Sequence, residues 1–294
     1  MDRPVVDGQA LVGVAANLDA SFLDQDGDLV AAVGTVTVDV ARADGTVIAT
    51  GAATTTPSTG LYRYALTAAD NTQLDLLTLT WKDGTSARLT TVHEIVGGYY
   101  FTVAELRAFD TTLSDASKYP AADIVVARAE VEAEFENITG TAWVPRYRRF
   151  RCSGSGAVAL ATPIWAPRSV RSVRAYTTDT DYTSFTASEL AAIDVDDTGI
   201  LTRRDGTAWP AGTENLVIEV EHGYNRPTPD LLRAAKQRCR YRLNMEKTRS
   251  RDSAVRMTVD GATYEMADGD DIEQRQVMRV VRRHETVTER FGIA

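Results

Sequence analysis

The chain has 294 residues and a mass of 32.0 kDa. That exceeds the ~250 residues near which single cores stop growing, so two domains are expected. A composition of 44% hydrophobic and 25% charged residues excludes a wholly disordered or collagen-like chain, and a net charge of −9 argues against nucleic-acid binding by bulk charge.

Two cysteines, Cys152 and Cys239, are too few for a disulfide scaffold; two free thiols or a single bridge are both open. The first thirty residues carry six aspartates against one arginine and no apolar segment of the secretory kind. The longest near-apolar run, Ala10 to Ala16, falls far short of the ~20 residues that span a bilayer. The expectation is a soluble protein, made in the cytoplasm, with no membrane partner.

Residues 1–96 hold 5 basic and 12 acidic side chains, a net of −7, whereas the remainder is near balance at −2. Their strands are short and separated by turns. Thr35 to Val40 alternates apolar and polar with period two, Ala43-Asp44-Gly45-Thr46 is a hairpin turn, and Val47-Ile48-Ala49 returns. Leu61–Leu66, Leu76–Trp81 and Ala87–Ile95 follow, and with Leu11–Leu18 the set predicts a sandwich of about seven strands. The run Asp44-Gly45-Thr46 … Gly60-Leu61-Tyr62-Arg63-Tyr64 resembles bacterial and phage immunoglobulin-like (Ig-like) modules. Gly97-Gly98 reads as an unconstrained junction.

Helical spacing begins beyond that pair. Thr102 and Glu105 form a capping box ahead of Leu106 and Phe109. A longer helix is predicted over Ala121–Thr139, with Ile124, Ala127, Val131, Phe135 and Ile138 on one face and Gly140 ending it. A β region runs from about Arg146 to Glu221; it includes Ser169–Tyr176, a hairpin around Asp196-Asp197-Thr198-Gly199, and the alternating Leu216–Glu221. A second long helix starts after Pro227-Thr228-Pro229, with Leu232, Ala235, Cys239 and Leu243 on its apolar side. The last forty residues read as a hairpin around Asp260-Gly261, an acidic Asp268-Gly269-Asp270-Asp271, a basic helix to His284, and a tail. Glu285–Phe291 alternates as a strand added to a neighbour's sheet would.

Motifs for chemistry are sparse. The histidines, His93, His222 and His284, have no ligand spacing, and HExxH, CxxC, GxSxG and Walker signatures are all missing, so no metal and no cofactor is expected. Ser153-Gly154-Ser155-Gly156 reads as a hairpin turn. Asp24-Gln25-Asp26-Gly27-Asp28 and Asp194–Gly199 have calcium-like carboxylate spacing but lack the sixth-position glycine or the closing glutamate, and read as solvated turns. Glu130 and Glu134 read as an exposed, solvated pair. From Arg226 to Arg256 ten basic residues face three acidic ones, a net of +7. That charge suits a phosphate-facing surface, a subunit interface (Arg233, Lys236, Arg240, Lys247), or a solvated helix face.

Val217-Ile218-Glu219-Val220-Glu221-His222-Gly223-Tyr224-Asn225-Arg226-Pro227-Thr228-Pro229-Asp230-Leu231-Leu232, followed by Arg240-Tyr241-Arg242-Leu243, resembles the head-to-tail connector (adaptor) proteins of long-tailed bacteriophages. Ile138-Thr139-Gly140, Trp143-Val144-Pro145-Arg146, and Asp197-Thr198-Gly199-Ile200-Leu201 before Trp209 extend the likeness over residues 99–294. It implies an α+β chain: an Ig-like sandwich (1–96) followed by a connector domain of long helices with an inserted β region (99–294). It further implies a non-enzymatic virion ring of about twelve copies at the capsid–tail junction. Its partners would be the portal, a stopper or tail-completion protein, and passing genomic DNA read without sequence specificity. The portal grip would lie from about residue 270, on Val277, Arg279, Val280, Arg282, Arg283, Val287 and Phe291. The alternative is a polysaccharide- or cell-wall-acting hydrolase with an Ig-like accessory module.

Overall fold

The computed structural model describes residues 6–248, 256–259, 262–265 and 269–285. Residues 8–96 form strands β1 (Gly8–Leu11), β2 (Ala16–Ser21), β3 (Val36–Arg42), β4 (Val47–Ala53), β5 (Thr55–Ser58), β6 (Leu61–Leu66), β7 (Asp75–Asp83) and β8 (Ser86–Val96). Helices α1 (Val103–Phe109) and α2 (Ala121–Thr139) follow. Next come β9 (Arg146–Gly154), β10 (Ala159–Ala161), β11 (Pro167–Tyr176), β12 (Tyr182–Ser184), the short α3 (Ala187–Ala191), β13 (Ile193–Val195), β14 (Ile200–Arg203) and β15 (Gly212–His222). Helix α4 (Pro229–Thr248), the hairpin strands β16 (Arg256–Val259) and β17 (Ala262–Glu265), and α5 (Gly269–Arg283) complete the order.

The first eight strands make two sheets, β1-β8-β7-β3-β4 and β2-β6-β5, around one core. Period-two alternation builds it: Val36, Val38 and Val40 of β3 and Leu77, Leu79 and Trp81 of β7 turn inward against Leu18, Tyr62, Tyr64 and Leu66. Trp81 donates its indole N–H to Thr91 Oγ1 at 2.9 Å, which satisfies the one polar atom of a fully buried ring. The single strand expected over Leu11–Leu18 is instead two strands in different sheets. β1 runs parallel to β8, β2 pairs with β6, and the Asn71 amide bonds the Leu11 and Val14 carbonyls at 2.8 Å where the chain changes sheet.

Residues 144–225 carry a second core. Sheet β12-β11-β15-β9 and sheet β10-β14-β13 enclose Phe150, Val173, Leu201, Trp209, Leu216, Ile218 and Val220. Trp209 donates to the Val158 carbonyl at 3.1 Å and stacks on Phe185. β15 is buried on both faces. Leu216, Ile218 and Val220 enter this core, and Val217 and Glu219 on the other side are buried as well.

The expected α+β arrangement, with a connector domain of long helices and an inserted β region, is overturned. Strands predominate among the described residues, and the chain clusters into two compact units that do not follow a single cut after residue 96. One unit, mainly β, joins Met1–Gly98 with Val144–Asn225; the other, which holds α1, α2, α4 and α5, joins Tyr99–Trp143 with Arg226–Ala294. In sequence the β region lies between the two stretches of the helical unit, but it clusters with residues 1–98. Periodicity identifies a strand but not the distant strand that covers it.

Three contacts inside the β unit explain why residues 8–96 and 144–225 belong together. Arg146 of β9, 2% exposed, pairs with Glu94 of β8, 3% exposed, at 2.8 Å. Gly97 donates its N–H to the Pro145 carbonyl at 2.9 Å, and a Cβ on Gly97 would lie 2.6 Å from Pro145 Cβ. That glycine serves a close approach of two chain segments; it is not an unconstrained tether. Arg149 of β9 also donates to the Ala43 carbonyl in the β3–β4 turn. Replacing Glu94 by Ala removes one carboxylate from a buried guanidinium and should cost about 3–5 kcal/mol, read from urea unfolding. By the same reasoning, removal of residues 1–96 should leave 144–225 insoluble or unfolded, checked by solubility and far-ultraviolet circular dichroism of the truncated chain.

Candidate functional site

The helical unit holds most of the side chains singled out for binding, and the start of α1 and the end of α2 have local causes. Thr102 Oγ1 accepts from the Glu105 N–H at 3.1 Å while Glu105 Oε2 accepts from the Thr102 N–H at 2.6 Å, so α1 starts with the expected reciprocal cap. Gly140 ends α2 in the left-handed region at φ 70°, its N–H on the Glu136 carbonyl. Ile124, Ala127, Val131 and Phe135 of α2 are buried as spaced; Ile138 is half-buried.

Helix α2 also buries charge. Arg128 lies 3.6 Å over the Tyr99 ring and donates to the Phe101 carbonyl, and Glu132 accepts the Tyr100 N–H at 2.9 Å. These bonds fix the 99–101 segment against α2.

The pair Glu130 and Glu134, expected to be solvated, is instead the acceptor side of an ion-pair network with α4. Arg238 puts two N–H groups on Glu134, at 2.9 and 3.1 Å, and a third on Gln274 of α5 at 2.8 Å. Arg242 bridges Glu134 at 2.8 Å and Glu130. Arg240 Nη1 stands 3.7 Å from Asp110 Oδ2. Burial pushes the Glu134 carboxyl up, but the hydrogen bonds from Arg238 and Arg242 outweigh it and hold the group below its ordinary value. Three of the ten basic residues of the +7 stretch, Arg238, Arg240 and Arg242, are thus matched by carboxylates of this chain. Bare spacing could not reveal this, because a glutamate pair at i, i+4 reads the same whether water or arginine faces it.

The predicted residues divide clearly. On α4, Arg233 is exposed, Lys236 and Arg240 are half-buried, and the Lys247 side chain lies outside the described residues. On α5, Val277 is buried at 1% exposure together with Val281, so the valine face packs inside the unit and is not presented outward. Val280 is half-buried, whereas Arg279, Arg282 and Arg283 are exposed; Val287, Phe291 and the strand expected over Glu285–Phe291 fall outside the described residues beyond Glu285. His284 Nε2 meets Asp230 Oδ2 at 2.9 Å, and the Trp143 ring stands edge-on to the imidazole.

Other candidates are engaged locally. Asp24 Oδ1 accepts the N–H groups of Asp26 and Asp28, and Asp196 Oδ1 accepts that of Thr198. Among the described residues no group of three or more His, Cys, Asp or Glu side chains is placed to hold a metal ion, and no described helix is long and apolar enough to cross a membrane. Cys152 and Cys239 are free, and burial pushes their thiols up to about 11 and about 12, which suppresses thiolate chemistry near neutral pH.

No family model and no curated protein matches the chain. Among solved structures it is similar to a chain of the neck of an empty gene transfer agent particle computed with C6 symmetry, at 17% identity and a TM-score of 0.40, covering 64% of this chain and 90% of that one. A chain of the virion of the native particle matches at 17% identity and a TM-score of 0.41 over the same shares. A chain of the native neck computed with C12 symmetry matches at 15% identity and a TM-score of 0.39, covering 66% of this chain and 96% of that one. These likenesses are remote in both sequence and geometry.

Replacing Glu134 by Gln should destabilise the protein by roughly 2–3 kcal/mol, since Arg238 and Arg242 lose a charged acceptor at once. The folded-state value of Glu134 lies below its ordinary 4.5. Its stabilising contribution is therefore complete above that pH and is lost as pH falls through the lowered value. Denaturant unfolding of wild type and variant from pH 7 down to pH 3 should show the difference between them shrinking below pH 4.5.

Proposed function

We propose that this chain is a non-enzymatic structural protein of a phage virion, present as a ring of about twelve copies at the capsid–tail junction. The ring joins the portal to the stopper or tail-completion protein and continues the channel through which DNA passes.

This reading is supported above all by the strand–turn–helix at residues 212–248, the segment whose sequence resembles phage connectors. β15 ends at His222, and Gly223, at φ 95°, donates its N–H to the Ala166 carbonyl at 2.8 Å. Arg168 braces the turn through the Gly223 carbonyl and Asn225 Oδ1, and the Leu232 N–H on the Thr228 carbonyl opens α4. Each part of the motif is thus held by its own bonds. The nearby carboxylate pair Glu130 and Glu134 is bound by arginines, which supports a structural role for it.

The Ig-like reading of residues 1–96 is supported by the sheet order β1-β8-β7-β3-β4 facing β2-β6-β5, with β1 parallel to β8. For the portal grip, burial of Val277 and Val281 within the helical unit takes both valines out of the contact, and the grip is assigned to Val287 and Phe291. Imaging of the purified protein mixed with its portal should show a ring seated on the portal; a protein that never binds the portal would reject the proposal. Truncation after Glu285 should weaken portal capture, and truncation after Gly269 should in addition lower thermal stability, because it removes Val277 and Val281 from the core.

A further inference from the structure

Helix α5 is divided lengthwise. Gln274, Val277 and Val281 face the inside of the helical unit, and Arg275, Arg279, Arg282 and Arg283 lie exposed at helical spacings on the other side. With Gln274 and Met278 these arginines line a shallow concavity of about 640 Å3. Arg279, Arg282 and Arg283 form no ion pair with a described residue, in contrast to Arg238 and Arg242 of α4. Arg279, Arg282 and Arg283 therefore keep their charge outward, beside a methionine and arginine stems that supply adaptable apolar surface.

The β unit carries a feature of opposite character. Leu23 and Leu29 pair across a tight turn yet are 52% and 51% exposed, and Asp24, Asp26 and Asp28 lie between them. The turn is held in shape from within: Asp24 Oδ1 accepts the N–H groups of Asp26 and Asp28 at 2.9 and 3.0 Å, and the Asp24 N–H bonds the Asp28 carbonyl at 2.9 Å. Asp26 and Asp28 are left exposed on a preorganised knob flanked by two leucines.

We infer that the α5 arginine strip of one copy docks the Leu23–Leu29 acidic turn of a second copy. Carboxylates meet guanidinium groups, and the two leucines meet Met278 and the arginine stems. The two surfaces are different patches of one chain, so the contact is head-to-tail, the kind that closes into rings. This names a subunit contact for the ring proposed above and rests on that reading.

The test uses the full-length chain in sedimentation velocity over a range of concentrations and salt. Wild type should self-associate, and more weakly as salt rises. Arg279→Glu with Arg283→Glu should weaken association by about tenfold or more, and so should Asp26→Arg with Asp28→Arg; the chain carrying all four should regain it. Asp24 is left unchanged because it holds the turn. Thermal melts check that each variant is folded, and Arg279→Gln with Arg283→Gln, which removes charge without reversing it, should give an intermediate loss. If wild type forms rings and both reversed chains form them equally well, the ring stands and this contact is wrong. Loss in both without recovery in the combined chain also overturns it, and gain of binding to duplex DNA by wild type alone would assign the strip to nucleic acid. A wild type that stays monomeric throughout would reject the ring and this contact together.

Discussion

The ion pair between Glu94 and Arg146 is the constraint on which the β unit depends. A guanidinium at 2% exposure cannot stay charged and unpaired, and its carboxylate sits on a strand fifty-two residues earlier in the chain. β9, which joins its own sheet through β15, thus also has its buried charge matched by the end of β8. The chain leaves β8 at Gly97 and returns at Pro145, where the two segments touch through the Gly97 N–H and the Pro145 carbonyl. Everything from Tyr99 to Trp143 is an excursion whose two ends are fixed beside each other, and this permits α1 and α2 to belong to a unit of their own.

Charge organises the helical unit as well, by a different geometry. Glu134 receives Arg238 and Arg242 together, so two turns of α4 are keyed to one side chain of α2, and Gln274 of α5 joins through Arg238. Apolar packing of Val131, Phe135, Leu231, Cys239, Leu243, Val277 and Val281 supplies the non-directional part of the stabilisation, while the arginine network selects the register. What remains outward on α5 is basic, which favours electrostatic docking over an apolar grip.

Much of this architecture is legible one element at a time. The Thr102 and Glu105 cap, the Gly140 stop and the alternating Val36, Val38 and Val40 are local signals, and the structure contains each of them. The illegible part is long-range. Glu219 and Glu94 lie in segments picked out only by alternation, yet both are buried beside arginines, Arg149 and Arg146, whose proximity no local pattern encodes. Gly97 reads as freedom because a glycine pair has no side chain; the reason for that here is the proline lying against it. Leu11–Leu18 reads as one strand, because the Asn71 bonds that hold its break come from sixty residues away.

If residues 8–96 and 144–225 form one cooperative unit, native-state hydrogen exchange will report it directly. The slowest amides of β7 and β8 should open with the same free energy as those of β9 and β15, and Glu94→Gln should lower both sets equally. Two distinct opening free energies, with only one set responding to the substitution, would mean that the two segments fold separately and that the buried ion pair does not join them.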